Sequence, residues 1–128
     1  MKVDKIQLIN DMFYRAFESL NVTEMSKVWV KDEASQVIHP GWPVKQGWKE
    51  VEDSWRAIFN NTSYMEFTLT DLTISDMGSW ARVTCVENLR SVAGGQESNG
   101  RVMATNLYLL KEEEWLMMHH HGSALPIR

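Results

Sequence analysis

With 128 residues, 44% of them hydrophobic and 23% charged, the chain has the composition of one globular domain spanning residues 1–128, and a disordered or repetitive polymer is excluded. A net charge of −4 with no cluster of lysine and arginine argues against nucleic acid as a partner. A single cysteine, Cys85, excludes an internal disulfide framework, and its place in an apolar alternating run suits a buried, inert thiol. No run approaches the ~18 apolar residues of a membrane span, and the first residues lead into an amphipathic helix instead of a signal core. A cytoplasmic protein without membrane contact is expected.

The first element is a helix. Ile6, Ile9, Phe13, Ala16, Phe17 and Leu20 recur at three- and four-residue steps, with Asp11, Arg15 and Glu18 opposite. Asn21 suits its stop, and Thr23 reads as the N-cap of a short second helix over about 23–30, which presents Met25, Val28 and Trp29. A short strand over about 35–39 runs into Pro40-Gly41-Trp42-Pro43, a stiff loop. A third helix follows Gly47, with Trp48, Val51, Trp55, Ile58 and Phe59 as its apolar stripe, and Asn60-Asn61 ends it.

After Ser63 the period changes to two. Met65, Phe67 and Leu69 alternate with Glu66, Thr68 and Thr70, and the phase slips at Asp71, which predicts a β-bulge. Met77-Gly78-Ser79 is a turn. A long strand covers 80–92, a flexible connection 93–100, a strand 101–110, a turn 111–114 and a last strand 115–121. Helices first and an antiparallel meander after predict an α+β fold with the helices on one face of a curved sheet. In the strand at 101–110 both faces are largely apolar. The helices cover one face, and a second copy is the economical cover for the other, so a homodimer through the sheet is expected.

The segments "DMFYRAFESLNVTEMSKVW" and "VIHPGWPVKQGWKEVEDSWRAIFNNT" resemble the helices and loop of SnoaL-like members of the nuclear transport factor two-like superfamily. "VTCVENL", "ATNLYLL" and "EWLMMHHHGS" resemble its last three strands. The resemblance covers about residues 6–123. It implies a cystatin-like α+β cone, a bent sheet wrapped around helices, usually dimeric and commonly holding a small apolar ligand. The superfamily includes ketosteroid isomerases, polyketide cyclases, dehydratases and members without catalysis, so the fold alone does not fix the function. No tyrosine–aspartate set aligns with the isomerase pattern, and no catalytic residue carries over.

The residues themselves nominate a site. Glu87 shares a strand face with Ala81, Val83, Cys85 and Leu89. If that face lines the cone, burial raises its pKa and suits it to general acid–base work, the alternative being a purely structural hydrogen-bonded carboxyl. His39 stands at a strand end beside the proline loop, as a proton shuttle or as a turn-fixing ring. His119 and His121 share one face of the last strand and His120 takes the other, so the pair is a further catalytic candidate. Zinc on these histidines would need the loop to fold over the strand, and no metal or cofactor is expected. Trp29, Trp42, Trp55 and Phe59 are candidate pocket walls, and Asn106 is placed to orient a ligand carbonyl. Three readings follow: a binder of a small apolar or aromatic ligand; a cofactor-independent isomerase, cyclase or dehydratase using Glu87 or a histidine; and a dimerisation or accessory module.

Overall fold

A computed structural model describes residues 2–127. Helix α1 (Lys2–Ser19) is followed by α2 (Val22–Ser26), the short strands β1 (Gln36–Ile38) and β2 (Lys45–Gln46), and helix α3 (Trp48–Asn60). Four long strands follow: β3 (Tyr64–Asp76), β4 (Trp80–Ala93), β5 (Gln96–Lys111) and β6 (Glu114–Leu125). All six strands form one sheet in the order β2-β1-β6-β5-β4-β3. No described helix is long and apolar enough to cross a membrane.

The fold is the expected α+β cone, with the helices on the inner face of a curved sheet. The sheet is mixed and not wholly antiparallel, because β1 runs parallel to β6 along Gln36–His119, Val37–His120 and Ile38–His121. Parallel neighbours need a long crossover, and α3 with the β3–β5 meander supplies it. Further details differ from the sequence expectation, among them the last strand, which runs on to Leu125. Asn21, not Thr23, caps α2: its Oδ1 accepts from the Thr23 and Glu24 amides at 2.8 and 3.2 Å. That helix ends at Ser26, and Val28–Val30 instead exchanges backbone hydrogen bonds with Met117 of β6. The segment 93–100 is no flexible connection, because β4 and β5 stay paired to Ala93–Gln96 and turn on Gly94-Gly95. Both glycines hold positive φ, 58° and 76°, as a two-residue hairpin requires. The strand β2 went unforeseen, being two residues long.

Two bulges shape the sheet. At Asp71 (φ 53°) the pairing with β4 slips between Thr70 and Thr73, which is the phase change visible in the sequence. On β6 the pairing with β5 slips too: Tyr108 faces Met117 and Leu107 faces His119, leaving Met118 as the extra residue. Before Met118 the inward residues are Trp115 and Met117; after it they are His120 and Gly122. Ile6, Ile9, Phe13 and Phe17 of α1 and Val51, Trp55 and Phe59 of α3 pack onto this face and onto Ala81, Val83, Cys85 and Ala104 of β4 and β5.

Candidate functional site

Alternation along β4 carries Ala81, Val83, Cys85 and Glu87 inward together, and Glu87 is 3% exposed. A carboxylate is costly at such a place, because the charged form loses its hydration. Burial accordingly pushes Glu87 up to about 7, while a hydrogen bond from Tyr14 partly opposes the rise. The Tyr14 hydroxyl donates to Glu87 Oε2 at 2.6 Å. Burial raises Tyr14 well above its ordinary value, and the neighbouring Glu87 charge adds to the effect, so the phenol stays a donor. Cys85, one turn of the pleat away, is pushed up to about 11 by burial and stays a thiol.

A polar network surrounds this pair. Asn106 Nδ2 donates to Tyr14 Oη at 3.1 Å and to Asn10 Oδ1 at 3.0 Å, and Tyr108 Oη donates to the same Asn10 Oδ1 at 2.6 Å. His120 Nδ1 lies 2.6 Å from Asn106 Oδ1, and its Nε2 lies 3.8 Å from Glu87 Oε2. Burial holds His120 well below its ordinary value, reinforced by His39, His119 and His121. With a neutral imidazole beside it, Glu87 has no ion pair there.

His39 forms the second polar point. Its Nε2 lies 3.0 Å from Ser54 Oγ, and that hydroxyl donates to the Val51 carbonyl at 2.7 Å, so the hydrogen of the first contact comes from the ring. Burial, with Lys45 as a lesser cause, lowers His39 to about 4. Its ring packs against Trp42 and Trp55 at centroid distances of 5.0 and 4.7 Å, and lies 6.5 Å from His120. Aromatic rings thus fill the middle of the cone. Two of its buried N–H groups, Asn10 Nδ2 and Trp55 Nε1, have no acceptor among the described residues. Two surface clefts approach the network. One, of about 380 Å3, is lined by Asp11, Tyr14, Arg15, Glu18, Phe67 and Leu69; the other, of about 210 Å3, includes Trp42, Lys45 and Ser54.

The structure therefore gathers Glu87, His39, Trp55 and Asn106 around one interior. It does not bring in His119 and His121. The Met118 bulge inverts the alternation, so these two face outward, where His119 Nδ1 meets Gln36 Oε1 at 2.7 Å, and His120 is the inward histidine of the run. Trp29 is fully buried under α2 with its Nε1 directed at Met25 Sδ, Phe59 lies at the far end of the aromatic stack, and Trp42 is the exposed lip over His39. Sequence reasoning missed Asn10, Tyr14, Ser54 and His120. Three of them carried a signal: Asn10 and Tyr14 are four apart beside the apolar stripe of α1, and Ser54 interrupts that of α3. His120 carried none, because nothing in the sequence announces the bulge.

Residues 6–128 match the family model described as SnoaL-like domain. Among solved structures, a provisionally assigned dehydratase of the NTF2-like family from Streptomyces avermitilis is 31% identical, with a TM-score of 0.90 over 98% of this chain and 97% of that one. A calcium/calmodulin-dependent protein kinase II association domain, likewise provisionally assigned, from Thiobacillus denitrificans is 25% identical, with a TM-score of 0.84 over 94% of each chain. An F-box protein, SKIP8, from Arabidopsis thaliana is 24% identical over 122 residues, 93% of this chain but 49% of that protein. The chain thus spans about half the length of that curated relative. A ketosteroid isomerase-like protein from Erwinia carotovora, 14% identical with a TM-score of 0.82 over 97% of this chain and 96% of that one, shares the fold.

Proposed function

The chain belongs to the SnoaL-like domain family, and on that premise we propose that it binds a small aromatic or apolar ligand bearing an oxygen acceptor in the cone interior. The observation that carries the reading is the unfinished hydrogen bonding of the aromatic cage. Leaving a buried N–H without an acceptor costs about 1–3 kcal/mol, and Asn10 Nδ2 and Trp55 Nε1 are two such groups. A carbonyl or phenolic oxygen would satisfy either one. The rings of Phe13, Phe17 and Trp55 supply apolar walls, as a ligand site of this kind needs. The route in is the cleft beside Tyr14, because Tyr14 lines it and touches Glu87 behind. Binding requires Tyr14 and its neighbours to give way.

A second reading, proton transfer of the isomerase or dehydratase type, is favoured by Glu87 itself. A carboxyl poised at about 7 exchanges protons with least penalty near neutral pH. The outer face of the sheet adds a further proposal, a homodimer. Trp80, Leu109 and Leu116 form one cross-strand row on that face, and Leu107 and Met103 extend it.

A thermal-shift panel of aromatic ketones, phenols and lactones tests the binding reading. A ligand selective for the folded state raises Tm by mass action. The Trp55→Phe variant, which keeps a ring but removes the N–H, should weaken the hit; a panel that leaves Tm unmoved throughout overturns the reading. For the enzyme reading, Glu87→Gln should keep binding and lose turnover.

A further inference from the structure

We propose that His120 is the positioning residue of Glu87: its Nε2 lone pair receives the hydrogen of the neutral carboxyl and so holds Glu87 in the acid form. The proposal rests on reading Glu87 as the proton-exchanging group of the interior, and it names the residue that governs that group.

The donor–acceptor directions leave His120 one arrangement. Asn106 spends both amide hydrogens, one on Asn10 Oδ1 and one on Tyr14 Oη. Its remaining atom, Oδ1, can only accept. The 2.6 Å contact with His120 Nδ1 is therefore a donation from the ring. Burial keeps that ring neutral, so Nε2 carries a bare lone pair. This lone pair lies 3.8 Å from Glu87 Oε2. An ionised carboxylate there would face it with another lone pair, whereas a protonated carboxyl offers it a hydrogen. Closing the contact to hydrogen-bond length needs a carboxyl swing of about 1 Å. Tyr14 donates to the same Oε2, so that oxygen receives one hydrogen from α1 and gives the carboxyl's own to β6. Glu87, Tyr14, Asn106 and His120 then form a ring in which every hydrogen points the same way round.

The titratable groups facing Glu87 are few. Helix α1 presents Tyr14, β4 presents Cys85, β5 presents Tyr108 and β6 presents His120, while β3 places Leu69 opposite. Tyr14, Tyr108 and Cys85 are all held neutral by burial. His120 is the acceptor in this set.

The test compares Glu87 ionisation in the wild type and in His120→Asn, followed through the infrared carboxyl band across pH. Asparagine keeps an N–H near the Nδ1 position for Asn106 and removes the Nε2 lone pair. The expected result is a fall in the Glu87 midpoint by about one pH unit, a tenfold stronger acid. An unchanged midpoint in a folded variant makes His120 an anchor for Asn106 only and overturns the proposal. If the variant does not fold, imidazole 15N shifts of the wild type decide: Nε2 should be unprotonated and should move in step with the Glu87 transition. A protonated Nε2, or one that ignores that transition, also overturns it. Neither measurement uses a ligand, so failure to find a ligand and failure of this proposal are separate results.

Discussion

Glu87 has an ordinary value of 4.5 and is raised to about 7 in the folded protein. Between those two pH values the folded state holds a proton that the unfolded state has lost. Its contribution is therefore complete below 4.5 and is lost as pH rises to 7, at a cost of about 3 kcal/mol. His39 works with the opposite sign: the folded ring stays neutral down to about 4, against 6.5 ordinarily, so stability is gained as pH rises through that window. In Glu87→Gln the Tm advantage over the wild type should widen from pH 4.5 to 7 and stay constant above, as scanning calorimetry at a series of pH values will show. A gap that does not vary with pH would mean that Glu87 is ionised throughout. Glu87 was legible because alternation alone put an acidic residue among Ala81, Val83 and Cys85. Tyr14 was harder to read despite its spacing from Asn10, because a tyrosine beside Phe13 on a helix stripe passes for core until its partner on β4 is known.

Among the elements, the proline loop and β6 meet at Gly122. A Cβ there would lie 2.9 Å from Val102 Cγ1 and 3.3 Å from Pro40 Cγ. Pro40 follows His39 and carries the loop that holds Trp42 over the imidazole, so a bare backbone at Gly122 lets the loop sit down on the sheet. Gly122→Ala should cost about 1–3 kcal/mol, the range for overpacking, in urea unfolding. Adding Val102→Ala to it should cost less than Val102→Ala costs on its own background, because the second change makes room for the first; strict additivity would show that Pro40 is the obstruction. The element pattern was read well where one period ran uninterrupted, as in α1, α3 and β4. It failed at β6, where Met118 shifts the phase, while the Asp71 bulge was visible because apolar residues resumed in the new register. The histidine run offered no such contrast, since three identical side chains look the same in either phase.

For the whole molecule, the α+β class followed from the order of helices and strands and the cone from the family resemblance, but the parallel pairing of β1 with β6 followed from neither, because a three-residue strand has no periodicity to read. The homodimer proposal belongs to this scale. Leu107→Lys puts a charge in the middle of the outer face without touching the interior, where Asn106 and Tyr108 point. Light scattering should show a dimer for the wild type at micromolar concentration and a monomer for the variant, with the melting transition retained; a wild-type monomer would refute the interface. The β1–β6 pairing has one more consequence. Gln36 and His119, bonded to each other, are 83 positions apart in the chain. Val28 and Val30 are likewise stitched to Met117. During synthesis the emerging N-terminal half has no β6 to pair with, so β1, the His39 turn and the cage behind it stay unassembled until β6 has cleared the ribosome. Such long-range closure slows folding. The interior chemistry is thus acquired only once β6 has joined the sheet.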